Sequence, residues 1–121
     1  MKETEQEHAI KPLVWVGSTH EDLKEFPPDV QDEMGYALYV AQEGDKHPKA
    51  KPLKEFSGVM EIRSVYKTNT YRAIYTTKIG ESIYVLHVFQ KKAKRGIQTP
   101  KKEIDLIKRR LKIAQDLAEG K

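Results

Sequence analysis

Residues 59–90, VMEIRSVYKTNTYRAIYTTKIGESIYVLHVFQ, decide the fold of this chain. They contain three runs rich in valine, isoleucine, tyrosine and threonine, which are residues that favour strands. The runs VMEIRSVY, TYRAIYTTKI and SIYVLHVFQ are separated only by the short connections KTN and GE. Strands joined by such short turns pair with their neighbours, so the pattern predicts two consecutive antiparallel hairpins.

The first hairpin sets the positions of two arginines. A two-residue turn at Thr68 and Asn69 would place Arg63 opposite Ile74. Arg63 and Arg72 would then lie diagonally on one face, about 7 to 8 Å apart. Because successive side chains alternate between faces, an error of one residue in the register would invert this arrangement.

The second hairpin brings a histidine to the same face. A turn at residues 80–81 would set Arg72 opposite Phe89 and His87 opposite Ile74. The other face is then apolar and forms the predicted floor for the N-terminal helices. This floor comprises Met60, Ile62, Tyr66, Tyr71, Ala73, Tyr75, Leu86 and Val88.

Upstream of the hairpins, the sequence predicts a strand and two helices. PLVWVGS, residues 12–18, is the strand, and Ser18 or Thr19 is the cap of a short helix that two prolines end. A second helix is predicted over residues 28–43. Its apolar residues have the spacing of a buried stripe and are Val30, Met34, Ala37, Leu38 and Ala41.

Three further segments complete the predicted single domain of residues 1–121. Residues 1–12 are polar and are expected to be a frayed end, and residues 45–58, DKHPKAKPLKEFSG, are expected to be an exposed connector. The last helix is predicted to have Thr99 as its cap and Pro100 at its first position. Its stripe is Ile104, Ile107, Leu111, Ala114 and Ala118. The predicted fold class is α+β, with an N-terminal strand and two helices packed on an antiparallel meander and a basic C-terminal helix.

Length and composition limit the possible classes of function. The chain has 121 residues and no cysteine, which excludes disulfides, thiolate metal sites and thiol nucleophiles. Its four histidines lack the spacing of metal ligands, and it has no dinucleotide or phosphate-loop motif, so we expect neither a metal nor a cofactor. It has no apolar run of membrane-spanning length and no signal peptide, so we predict a soluble, cytoplasmic protein.

Positive charge is concentrated in the last quarter of the chain. Residues 91–121 contain 11 lysines and arginines against 4 acidic residues, a net charge of +7, whereas residues 1–90 carry a net charge of −3. The strand SIYVLHVFQ runs directly into a block of four cations, Lys91, Lys92, Lys94 and Arg95. Mutual repulsion makes such a block unfavourable unless an anion offsets it. A solvated basic tail is the alternative interpretation.

The predicted sheet extends this block of charge. Arg63, Arg72 and His87 would share one face beside the cations, and a concave surface of one sign favours an anionic ligand. For the arginines, the alternative is an ordinary cross-strand ion pair with Glu61 or another carboxylate. For His87, the alternative is a packed structural histidine.

The start of the last helix also favours an anion. Lys101 and Lys102 lie in its first turn, where cations oppose the helix macrodipole. A phosphate near Thr99 would meet free backbone N–H groups and both lysines, and would turn this unfavourable arrangement into a favourable one.

Several segments carry a resemblance to a known family. They are PLKEF (52–56), MEIR (60–63), TYRAIYT (70–76) and YVLHVFQKKAKRGIQTPKKEIDLIKRRL (84–111). With the order of predicted elements, they resemble the RelE/ParE toxin superfamily, specifically its HigB-like, phage-associated branch. The resemblance covers almost the whole chain from Leu13 onward, and the string FQKK…TPKKEI is its most specific part.

The resemblance implies the toxin of a type II toxin–antitoxin pair, a metal-independent, ribosome-dependent endoribonuclease that cleaves mRNA through attack of the 2′-OH on the adjacent phosphate. The implied partners are a cognate helix-turn-helix antitoxin, the ribosome and mRNA. The candidate catalytic residues are Arg63, Arg72, Lys91 and Lys92. The candidate RNA-binding residues are Lys51, Lys54, Lys94, Arg95, Lys101 and Lys102.

The chain departs from the best-known RelE pattern in the first strand of the meander. It has Val59 and Glu61 where that pattern has lysines, and it also lacks the tyrosine that follows the basic segment. The proton carrier is therefore open between Lys91, whose pKa its cationic neighbours would have to lower, and His87. Gyrase inhibition in the manner of ParE toxins and non-catalytic nucleic-acid binding are the alternative functions.

Overall fold

The computed structural model describes residues 10–91 and 99–121. Most of the predicted frayed end therefore lies outside the described residues, as do Lys92, Lys94 and Arg95. The described elements are β1 (Leu13–Trp15), α1 (Thr19–Lys24), α2 (Pro28–Gln42), β2 (Ala50–Pro52), β3 (Val59–Tyr66), β4 (Asn69–Thr76), β5 (Ile83–Lys91) and α3 (Lys101–Ala118). This order confirms the predicted α+β fold.

The strands form one mixed sheet in the order β1-β5-β4-β3-β2. β3, β4 and β5 are the predicted antiparallel meander, and β1 pairs with β5 in parallel. β2 lies within the segment predicted to be an exposed connector. That prediction was wrong in two respects, because residues 50–52 form a strand and Ala50 and Leu53 are buried. Pro52 cannot donate a backbone hydrogen bond, but the edge of a sheet tolerates it, and Ala50 belongs to the buried core beneath α2.

The first hairpin turns at Lys67 and Thr68, and Lys67 adopts a φ of 56°. Arg63 therefore lies directly opposite Arg72 rather than opposite Ile74. Because side chains alternate with a period of two residues, this shift of two residues leaves both arginines on the predicted common face.

The predicted register of the second hairpin is confirmed in the part that contains Arg72. Arg72 lies opposite Phe89, and His87 lies opposite Ile74. A bulge after Ile74 then moves the remaining pairs by one residue. As a result, Leu86 packs on the face opposite to the one predicted.

Helices cover parts of both faces of the sheet. α1 and α2 pack on one face, and all five residues of the predicted α2 stripe are buried. α3 packs on the other face, where Ile107 and Ala114 are fully buried. Ile104 and Leu111 are half-buried, and Ala118, the last residue of the predicted α3 stripe, is exposed.

α3 begins one residue later than predicted. Pro100, with a ψ of 149°, is the N-cap and is still extended, so the predicted cap at Thr99 was wrong. Arg110 fastens the helix to the sheet, since its Nη1 donates a hydrogen bond of 3.1 Å to the carbonyl oxygen of Leu86. Neither α3 nor any other helix in the described residues has the length and apolar content needed to cross a bilayer.

Candidate nucleic-acid interface

A cleft of about 400 Å³ opens on the sheet face that carries the two arginines. β2 and the segment after it form one side, β3 and β4 form the floor, and Thr99 contributes from the segment before α3. The charged residues that line it are Lys51, Lys54, Glu55, Glu61, Arg63 and Arg72. Cations outnumber carboxylates among these residues, so we call this site the cationic cleft.

A second, smaller cavity adjoins the cationic cleft along β2. Its volume is about 230 Å³, and the two cavities share Lys51, Glu61 and Arg63 as lining residues. The register explains why these side chains meet, because Lys51 lies opposite Glu61 on neighbouring strands. Arg63 is two residues beyond Glu61 on the same strand and therefore projects from the same face.

Arg72 is the most deeply buried cation of the cleft. It is 3% exposed and lies on β4, the middle strand of the sheet. Its Nη1 donates a hydrogen bond of 2.5 Å to Oε2 of Glu61. Its Nε is buried and has no hydrogen-bond partner in the described part of the chain. A buried charged donor without an acceptor is costly, so this nitrogen is suited to an anion that enters the cleft.

Glu61 is the carboxylate around which these cations gather. It is 7% exposed, and its Oε1 lies 3.7 Å from Nη2 of Arg63. The alternative weighed from the sequence, an ion pair between Arg72 and Glu61, is therefore confirmed. Sequence reasoning did not include Glu61 in the candidate site. Strand alternation could have found it, because Glu61 precedes Arg63 by two residues.

Arg63 and Lys51 are accessible cations on the strands of the cleft. The Arg63 side chain is 45% exposed, and Lys51 is exposed on the edge strand. Both can contact a ligand in solvent without breaking a buried ion pair. With Lys54 and Arg72 they give four positive charges against the two carboxylates of the cleft, so its net field attracts anions.

Lys91 lies at the end of β5, opposite Thr70. Partial burial lowers its pKa from the ordinary value of 10.5, and the positive charges of Arg72 and Arg63 lower it further, while Glu61 opposes them. The shift has the direction that a proton-transfer role of Lys91 requires. A lysine with a lowered pKa exchanges protons more readily near neutral pH.

His87 is packed beneath α3. Its side chain is buried, its Nε2 lies 2.6 Å from Oε1 of Glu103, and its ring stacks on Phe89 with centroids 4.8 Å apart. Burial lowers the pKa of His87, and the contact with Glu103 opposes this effect. These contacts favour the structural interpretation of His87 over the catalytic one.

The remaining predicted cations lie around the rim or outside the described residues. Lys54 is exposed beside the cleft. Lys101 and Lys102 are exposed in the first turn of α3, two residues or less from Pro100. The Nζ of Lys101 also lies 3.1 Å from Oδ2 of Asp105, a surface pair that adds little stability. The predicted roles of Lys92, Lys94 and Arg95 concern residues that the structure does not describe.

No metal site accompanies these cations in residues 10–91 and 99–121. The His, Asp and Glu side chains of this part of the chain form no group of three or more that could hold a metal ion. The charged groups that line the cleft are guanidinium, ammonium and carboxylate groups, which bind anions and move protons.

Comparison with known proteins identifies the family of the chain. The profile of the phage-derived protein Gp49-like family (DUF891) matches residues 21–112, which extend from α1 into α3 and include the described cleft. No curated protein and no solved structure gives a significant match. The Gp49-like family is one of the RelE/HigB-like toxin families. The chain thus belongs to the phage-derived Gp49-like family of toxin–antitoxin toxins.

Proposed function

We propose that this chain is a ribosome-dependent endoribonuclease that cleaves mRNA. A cognate helix-turn-helix antitoxin would inhibit it. Membership of a toxin family supports an antitoxin partner and a toxic activity. The choice of RNA cleavage rests on the position of Arg72. This buried arginine lines a cleft rich in cations, and its Nε has no partner in the described residues. Binding a nucleic-acid backbone from outside would need only exposed lysines.

The proposed reaction uses the RNA as its own nucleophile. The 2′-OH attacks the adjacent phosphorus, and the bond to the 5′ oxygen of the next nucleotide breaks. The protein must remove the 2′ proton, stabilise the negative charge on the phosphorane and protonate the 5′ oxygen. Arg72 and Arg63 face each other across β3 and β4, which supports a role for both as donors to the non-bridging oxygens.

The pair with Glu61 refines the role expected for Arg72. The Nη1 of Arg72 is engaged by Glu61, so the whole fork is not available to one phosphate. Its Nε supplies the buried donor, and the more exposed Arg63 supplies a second guanidinium from the adjacent strand. Two separate donors around one phosphate stabilise developing charge as an oxyanion hole does.

The test is induction of the protein alone in bacteria, followed by primer extension on several mRNAs. We expect growth arrest and new 5′ ends within translated regions, with the same transcripts uncut when their translation is blocked. Growth arrest with intact mRNA and accumulated DNA breaks would instead identify a gyrase inhibitor. RNA binding without any cut would identify a non-catalytic binding protein.

A further inference from the structure

We propose that Glu61 is the general base of the cationic cleft, the group that takes the 2′ proton from the RNA. This inference rests on the proposed function and resolves the open identity of the proton carrier. In the sequence, Glu61 is a departure from the RelE pattern and a candidate partner for an arginine. Neither the family match nor the candidate roles drawn from the resemblance assign it any chemistry.

The position of Glu61 supports this role. It lines both adjoining cavities, so a strand of RNA that crosses from one to the other passes its carboxylate. Its Oε2 is held by Arg72, which fixes the orientation of the group. Its Oε1 is 3.7 Å from Arg63 Nη2, beyond hydrogen-bond distance, and we assign this oxygen to the proton.

The surrounding charges explain why a carboxylate belongs in an anion site. Glu55 is the other carboxylate that lines the cationic cleft. The cations that approach Glu61 from β2, β3, β4 and β5 are Lys51, Arg63, Arg72 and Lys91. They outnumber it, so a phosphate still enters a positive field. A base must itself be unprotonated, and a carboxylate meets this condition at neutral pH, whereas an ammonium group must first lose its proton.

The proton balance then gives Lys91 the opposite task. Glu61 accepts the proton of the 2′-OH as the 2′ oxygen bonds to phosphorus. The bond from phosphorus to the 5′ oxygen breaks, and the Lys91 ammonium group donates a proton to that oxygen. The products are a 2′,3′-cyclic phosphate and a 5′-OH, and exchange with water restores both residues. Lys91 is two residues beyond Phe89, which lies opposite Arg72, so it projects from the face of the sheet that carries Arg72. Its pKa, lowered by burial and by the arginines, makes it a stronger acid, which suits this step.

The experiment compares the full chain with Glu61→Gln on purified ribosomes that carry a defined mRNA. Cleavage is measured in single turnover between about pH 5.5 and 8.5, the range in which a carboxylate base and a lysine base differ. For the unchanged protein we expect a rate that stays nearly level across this range, because a carboxylate base needs no deprotonation there. If Lys91 were the base instead, the rate would rise with pH through neutral pH.

For Glu61→Gln we expect the rate at neutral pH to fall by about 10²- to 10⁴-fold. The glutamine keeps a carbonyl oxygen for Arg72, and the melting temperature shows whether the variant is folded at the assay temperature. The residual activity should rise with pH, because hydroxide or a deprotonated amine must then take the 2′ proton. Loss of rate with an unchanged pH dependence would show that Glu61 only positions Arg72 and would overturn the proposal, as would an unchanged rate.

Two comparisons keep the test decisive. Glu61→Asp restores a carboxylate and should recover the level pH dependence, even if glutamine prevents folding. Glu81→Gln makes the same charge change at an exposed residue of the β4–β5 connection and should cleave at the normal rate. If the unchanged protein does not cleave RNA, the proposed function fails together with the inference. If it cleaves and Glu61→Gln matches it, only the inference fails.

Discussion

Two buried polar pairs lie on one face of the sheet, and they differ in their access to solvent. Arg72 and Glu61 line the cationic cleft, whereas His87 and Glu103 join the sheet to the first turn of α3. Each pair leaves one buried nitrogen without a partner in the described residues, Arg72 Nε and His87 Nδ1. Burial and an unused donor therefore do not by themselves identify a functional group. The cleft beside the first pair makes the difference.

Sequence reasoning weighed the arginine and the histidine together as members of one anion site. Their common face was predicted from the hairpin turns and is confirmed. What the alternation pattern could not reveal is how α3 closes over His87 while the floor around Arg72 stays open. That difference depends on where the helix packs, which is a tertiary property.

The largest effect is expected for Arg72→Ala, which removes the cation of the Arg72–Glu61 pair in the cationic cleft. Its loss leaves the buried Glu61 uncompensated, which typically costs about 3 to 5 kcal/mol of unfolding free energy. Cleavage per folded molecule should fall by about 10²- to 10³-fold, because a donor to the phosphorane is lost. Denaturant unfolding and single-turnover cleavage of the same variant measure the two effects.

The double variant Arg72→Ala, Glu61→Ala separates these effects. Removal of both partners should recover much of the stability, because no buried charge remains alone, but it should not recover cleavage. Normal cleavage in a folded Arg72→Ala protein would remove the arginine from the site.

The His87–Glu103 pair, which α3 covers, should behave differently when it is broken. Glu103→Ala leaves the buried His87 without this partner and should cost about 1 to 3 kcal/mol of unfolding free energy. Cleavage per folded molecule should stay within about threefold of normal, since the pair makes no contact that the reaction needs. Loss of cleavage at unchanged stability would show that the two pairs act in one site.

The pH dependence of stability sharpens the same comparison. The pKa of His87 is lower in the folded protein than its ordinary value of 6.5, chiefly because of burial, with opposing effects from Glu103 and Asp22 and a reinforcing one from Arg110. The unfolded chain therefore binds more protons, and this contribution to stability is present above pH 6.5 and is lost as the pH falls. His87→Gln should lose less stability than the unchanged protein between about pH 7.5 and 5.5.

The smallest effect on the folded protein is expected at the rim. Lys101→Glu with Lys102→Glu should change the melting temperature little, because both side chains are exposed and acidic residues suit the first turn of a helix. Affinity for RNA or ribosomes should weaken, and its dependence on the logarithm of salt concentration should lose about two units of slope. An unchanged slope would show that these lysines make no phosphate contacts.

Local sequence signals predicted more of the fold than of the site. The α2 stripe and the strand runs follow simple periods. The predicted register of the first hairpin was wrong by two residues, yet both arginines lie on the predicted face. β2 was missed because a proline and several lysines are not typical of a strand, although a short edge strand tolerates them. Its pairing with β3 brings Lys51 beside Glu61, and no period within residues 45–58 could show that contact.

The central claim is that the cationic cleft promotes attack by a 2′-OH on the neighbouring phosphate. The most direct measurement uses ribosomes that carry a synthetic mRNA with a single 2′-deoxy nucleotide on the 5′ side of the cut. We predict that this mRNA stays intact at that position, while the all-ribose mRNA is cut and leaves a 2′,3′-cyclic phosphate and a 5′-OH. Equal cleavage of both mRNAs, or 5′-phosphate ends, would contradict the account.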